Sequence, residues 1–150
     1  MKLSAWLYYS AFLIYVVAWG TPVVEGGATL AEGRLPGWQA FVAALNPLLR
    51  WDAGDGLVRA LLPVTSALTN LLFIGLLVRL VPRAARPRPI AVGALLAATL
   101  VNGHWIWFAY ETTERLRLGY FLWLGAFLCL AGSAALPPRG ASRQPETGAA

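Results

Sequence analysis

Cysteine, histidine and lysine each occur once in this chain of 150 residues, as Cys129, His104 and Lys2, and only 13% of the residues are charged. One cysteine excludes an intramolecular disulfide and any cysteine-built metal cluster, and with them the quinone-linked thiol oxidoreductases of similar size, which need paired cysteines. One histidine excludes the His-Glu-x-x-His metal motif. Gly-x-Ser-x-Gly, a phosphate-binding loop and a dinucleotide fingerprint are also missing. Charge is the most informative shortage. A soluble domain carries roughly 25% charged residues, and the few present here are too clustered to keep a chain that is 58% hydrophobic in solution.

The gaps between charges map the chain. Leu3 to Val24 is an uncharged stretch of 22 residues, Ala60 to Val78 has 19, Pro89 to Tyr110 has 22 and Leu118 to Pro138 has 21. Each is close to the roughly 20 apolar residues that span a hydrocarbon core about 30 Å thick. Alternating strand patterns of about ten residues, the mark of a membrane barrel, are absent. The expected fold is therefore all-α: an integral membrane four-helix bundle occupying residues 1–138, with spans at about 3–22, 59–81, 89–110 and 118–137. Residues 139–150, rich in Pro, Gly, Ser and Ala, read as a disordered tail. Trp6, Tyr8, Tyr9, Trp19, Trp105, Trp107, Tyr110, Tyr120 and Trp123 fall at span ends, where aromatic rings prefer the headgroup level.

Arg79, Arg83, Arg86 and Arg88 surround the short turn between the second and third spans. Short loops dense in Arg stay cytoplasmic, so four crossings put both termini on that side, where Lys2, Arg139 and Arg143 agree. Heavy use of Ala, Arg and Gly points to a GC-rich bacterial genome, and hence to a bacterial cytoplasmic membrane. A competing reading treats Lys2 and the first apolar run as a signal peptide cleaved after Ala18-Trp19-Gly20, which would leave three spans. The run's length and its Trp and Tyr content fit an anchor better.

A sequence pI of about 10.0 raises nucleic-acid binding, but 11 of the 12 basic residues are Arg scattered along the chain. Topology and anionic headgroups account for them, and Arg83, Arg86 and Arg88 are candidates to hold a lipid phosphate. Membrane lipids are thus expected partners and nucleic acid is not. No cofactor is expected.

The first two spans are joined by an outer loop, residues 23–58, far longer than the two to eight residues usual in bundles. Thr21 to Pro36 is rich in Gly and small residues and reads as irregular. From Gly37 to Leu45, Trp38, Phe41, Val42 and Leu45 recur at helical spacing and predict a short amphipathic helix stopped by Asn46-Pro47. Asp52 and Asp55, with nearby Asn46, invite a calcium loop, but the third acid and terminal Glu are missing, so a solvated turn is the reading. Small residues recur every four positions as Gly125, Cys129 and Ser133, as Gly93 and Ala97, and as Ala94, Ala98 and Asn102, predicting close helix approach. Ser66 and Asn70 share a face and are expected to point inward and bond across helices.

One segment gathers chemically capable side chains. His104 and Glu111 lie seven apart on the third span, with Asn102 before them and Glu114 one turn beyond. Ionisable residues in a membrane are functional suspects. With Asn70, these five outline a polar pocket opening outward, able to relay protons or hold a small ligand. The plainer reading has His104 bonding a neighbouring helix while Glu111–Arg115 and Glu114–Arg117 form solvated pairs.

Two functions compete. A structural or interaction subunit would use Trp38, Phe41 and Trp51 of the loop as contacts for another membrane protein or a second copy. A small transporter or ligand-binding protein would use the pocket. An intramembrane enzyme would need the loop acids to fold back over His104. The plan of a long first outer loop and three closely connected spans is similar to that of claudin-type four-span proteins. The likeness is one of topology alone, because the paired loop cysteines and the Trp-Gly-Leu-Trp segment are absent.

Overall fold

In a computed structural model of the chain, residues 3–25, 33–49, 57–80, 88–112 and 115–136 are described. They form, in chain order, α1 (Leu3–Gly20), β1 (Pro22–Glu25), β2 (Arg34–Pro36), α2 (Gly37–Leu49), α3 (Leu57–Arg79), α4 (Pro89–Thr112), β3 (Arg115–Leu116) and α5 (Leu118–Ala135). Four of the helices are long and apolar enough to cross a membrane: α1, α3 from Leu61 onward, α4 to Trp107, and α5. Pro89 begins α4, where its missing N–H would have had no helical partner. Pro63 falls in the second turn of α3 because that helix starts at Leu57, so one helix hydrogen bond is forgone there.

Two of the connections between long helices depart from the all-α expectation. Part of the segment expected to be irregular is a three-stranded antiparallel sheet in the order β2-β1-β3. Val24 pairs with Leu35 and Leu116, and Glu25 with Arg34 and Arg115. Strands of four, three and two residues are too short to display a period-two pattern. The third comes from the connection between α4 and α5, about ninety residues away in sequence. Pro22 cannot donate to a ladder, and the register shifts between Pro22 and Val24. The short helix also runs further than expected, to Leu49, with Pro47 inside it. The bond that Pro47 forgoes belongs to the carbonyl of Ala43, an exposed residue. The Asp52–Asp55 turn and the tail 139–150 lie outside the described residues.

Glu25 ties the sheet together. Its carboxylate lies 3.6 Å from Arg34 Nε and pairs with Arg117 on the opposite side. Both arginines are well exposed, so water and salt screen the pairs. Glu25→Gln is expected to lower stability by less than about 1 kcal/mol and to remove part of its dependence on salt, read by thermal unfolding in detergent at two ionic strengths.

The sheet and α2 cap one end of the bundle. Gly37 N–H donates to Thr21 O at 3.2 Å and Arg117 N–H to Val23 O at 2.9 Å. Both bonds require close approach. A Cβ on Gly37 would stand 2.6 Å from Ala18 O, and one on Gly119 would stand 2.6 Å from Pro22 O and 2.8 Å from Thr21 O. At the other end, Ser133 Oγ donates to Ser4 O at 2.8 Å and Arg88 Nη1 to Arg79 O at 2.8 Å, gathering the start of α1, the end of α3, the start of α4 and the end of α5.

Within the bundle α5 packs along both α1 and α4. Phe73 of α3 stacks on Tyr15 with ring centroids 4.3 Å apart and meets Phe127 of α5 at 4.8 Å. Leu95, Leu130, Ala11, Ala126 and Ala131 complete the core. The expected small-residue columns are only partly used. Ala98 and Asn102 are buried, but a Cβ added at Gly93 or Gly125 would meet nothing within 4 Å. Buried alanines line the helix interfaces, an added Cβ at Gly132 of α5 would stand 3.3 Å from Leu7 of α1, and the glycines with the tightest surroundings lie where helices touch the cap.

Candidate functional site

Asn70 and Asn102, two of the expected pocket residues, are brought into one buried network. Tyr15 Oη donates to Asn70 Oδ1 at 2.9 Å, joining α1 to α3. Ser66 Oγ donates to Asn102 Oδ1 at 2.5 Å, while Asn102 Nδ2 donates to Thr69 Oγ1 at 2.9 Å and to Ala98 O at 2.8 Å. Trp105 Nε1 donates to Ser66 Oγ at 3.0 Å, and Tyr120 Oη to Asn102 O at 2.8 Å. Ser66 and Asn70 do point inward and bond across helices, as their shared face predicts, and Asn102 joins them. Polar groups buried among apolar helices have to find such partners, because leaving one unpaired there costs free energy.

His104 stands apart from this network. Its Nδ1 hydrogen-bonds Val101 O of its own helix, and its ring lies 4.8 Å from that of Trp105. It does not line the cavity described below. The side chains of Glu111 and Glu114 lie outside the described residues, as do Trp51, Arg83 and Arg86. Of the expected partner contacts, Trp38 is exposed, but Phe41 turns inward with its ring 5.4 Å from that of Trp19. Phe41 is therefore a packing residue of the cap. Arg88, a candidate for lipid phosphate, spends one guanidinium N–H on the carbonyl of Arg79 and closes the turn.

Between cap and bundle lies a cavity of about 310 Å³. Its roof is Val23 and Val24 of β1, Leu35 of β2, Leu116 of β3 and the small face of α2 formed by Gly37, Ala40 and Ala44. Its walls include Trp19, Phe41 and Trp123, and its floor is Ser66, Asn70 and Tyr120. The described lining holds no Asp, Glu, Lys, Arg or His. Apolar walls with a few placed polar groups are the usual form of a small-molecule site.

No protein-family model matches the chain, and no curated protein or solved structure is detectably similar to it. The site's chemistry has to be read from its own groups. Ser66 is bonded to an amide and an indole, and among the described residues no general base is bonded to it to activate it as a nucleophile. Among the described residues no three His, Cys, Asp or Glu side chains converge to hold a metal.

The sequence reading did not find Tyr15, Thr69, Trp105, Tyr120 and Trp123 as site residues. Several of them carry the signature of membrane-interface aromatics, and their position along a span does not say which way a ring points. Trp6 and Tyr9 are exposed, whereas Tyr15 and Tyr120 are buried. One signal was available. Trp105 follows Asn102 by three positions, which places both on one helical face.

Proposed function

We propose that the chain is a multi-pass membrane protein that binds a small apolar molecule in the cavity beneath its outer cap. Membrane insertion is supported by large apolar side chains facing outward on all four long helices, including Leu13, Val78, Leu100 at 79% exposed, and Leu128. Such surfaces are not sustained in water. The start of α1 and the end of α5 lie on the same face as the end of α3 and the start of α4, which carry Arg79 and Arg88; we assign that face to the cytoplasm of a bacterial cell, and the cap then faces outward.

The observation that carries the binding reading is the cavity itself. The small residues of α2 leave space above a floor whose own donors, the hydroxyls of Ser66 and Tyr120 and the amide of Asn70, are already committed to Asn102 and to backbone carbonyls, so hydrocarbon can enter without stranding a donor of the floor. The test uses the full chain in detergent and pentylbenzene as probe, read by fluorescence of the cavity tryptophans and corrected for partition into protein-free micelles. Saturable binding is expected, and Ala44→Phe, which fills the space from α2, is expected to weaken it about tenfold or more. Absence of saturable binding overturns the reading.

A second reading, a structural or interaction subunit, rests on the outward face of α2, where Trp38 and Val42 are 51% and 54% exposed. A protein that co-purifies stoichiometrically in mild detergent, and is lost with Trp38→Ala, favours that role.

A further inference from the structure

The ligand's chemistry can be narrowed further, on the premise that the cavity is a binding site. The floor has a specific imbalance of donors and acceptors. The Ser66 hydroxyl hydrogen is committed to Asn102 Oδ1, and the Tyr120 hydroxyl hydrogen to Asn102 O. Asn70 Nδ2 is turned to the backbone carbonyls of Ala67 and Ser66, at 3.3 and 3.5 Å. What remains is acceptor capacity. A serine oxygen has two lone pairs and only one receives Trp105, an amide oxygen has two and only one receives Tyr15, and the Tyr120 oxygen receives no donor among the described residues. Ser66 and Tyr120 both bond to Asn102, Asn70 stands one turn along α3 from Ser66, and all three residues line the cavity. On the donor side, the indole N–H of Trp123 is buried with no hydrogen-bond partner among the described residues.

A hydroxyl matches such a floor, because one group both donates and accepts. A carboxylate does not: it would set negative charge against three oxygens with no cation in the described lining. An ammonium would find acceptors but no counter-charge. Size sets the other limit. An apolar cavity of about 150 Å³ accommodates benzene, so roughly twice that volume holds a ring with a short chain. The lining includes Ala43, an exposed residue of α2, and so reaches the surface there.

We propose that the cavity selects an uncharged, mainly hydrocarbon molecule bearing a hydroxyl group, held with that hydroxyl on the floor formed by Ser66, Asn70 and Tyr120. The test compares four probes of one shape on the full chain in detergent: para-pentylphenol, pentylbenzene, para-pentylanisole and the para-pentylbenzoate anion. Each affinity is referenced to that probe's partition into protein-free micelles. The phenol is expected to bind about tenfold or more tighter than pentylbenzene and the methyl ether, and the benzoate not to bind. Tyr120→Phe and Asn70→Leu are expected to lower the ratio of phenol to pentylbenzene affinity, each variant's own pentylbenzene affinity serving as its reference. A phenol no tighter than pentylbenzene, an ether equal to the phenol, or a saturably bound benzoate overturns the hydroxyl assignment and leaves the binding site standing. Full preference retained in both variants overturns the floor assignment. Failure of all four probes overturns the site as well.

Discussion

Gly119→Ala is expected to destabilise the protein by about 2 kcal/mol and to abolish pentylbenzene binding, although it adds one methyl group to a helix. Alanine in place of glycine ordinarily favours a helix by up to about 1 kcal/mol. Here the new Cβ would lie 2.6 Å from Pro22 O, 2.7 Å from Thr21 Oγ1 and 2.8 Å from Thr21 O. Two of the three obstacles are backbone and cannot rotate away. The segment at Thr21 and Pro22 must retreat, but it holds the roof: Thr21 O accepts from Gly37, and Val23 O accepts from Arg117. Moving it pulls α2 and β3 off the cavity together. Gly93→Ala is the control, since its added Cβ meets nothing within 4 Å, and it should leave stability unchanged or raise it by up to about 1 kcal/mol. Thermal unfolding of both variants in the same detergent measures the contrast. Equal stability would show that α5 does not approach the β1 segment so closely.

The same pair of glycines explains how much could be read before the structure. Gly93 sits in a four-residue column with Ala97 and looks like a packing notch; Gly119 sits beside an arginine at the start of a span and looks like a boundary residue. A sequence shows that a residue is small but not what stands opposite it, and what stands opposite Gly119 is chain from about a hundred positions earlier. Long uncharged runs are legible because lipid imposes length and polarity on each helix separately. The cap is not, because its strands are stabilised by partners remote in sequence. Glu25, Arg34 and Arg117 look like ordinary loop charges until the backbone brings them together.

The candidate site divides along the same line. Ser66, Asn70 and Asn102 stand out because a polar residue inside an apolar span needs an explanation. His104 stands out for the same reason, but its bond to Val101 O satisfies it within its own helix. Titratable chemistry drew attention toward the end of α4, whereas the space lies beside α2. An empty volume belongs to no residue. It arises from Gly37, Ala40 and Ala44 facing apolar and aromatic walls, and alanine on an amphipathic helix carries no signal of a void beneath it.

Asn102 provides the largest test of the polar network. Asn102→Leu keeps the volume and removes three side-chain hydrogen bonds from a residue that is fully buried. In membrane bundles such bonds average about 0.6 kcal/mol each, which sets a loss near 2 kcal/mol if nothing else changes. More is at stake in the partners. Thr69 Oγ1 keeps its own bond to Ser66 O at 2.6 Å, but the Ser66 hydroxyl loses its acceptor while still receiving Trp105. An unmet buried hydroxyl costs about 1–3 kcal/mol, reduced here if the hydroxyl turns to a carbonyl of its own helix. The expected loss is therefore about 2–4 kcal/mol, and part of it should vanish when Ser66 is removed too. In a double-mutant cycle of Asn102→Leu with Ser66→Ala, the double variant should be less destabilised than the sum of the singles by about 1 kcal/mol. Additive losses would mean that the two residues stabilise α3 and α4 separately, and that the floor of the cavity is not the preorganised surface on which selection of a hydroxyl depends.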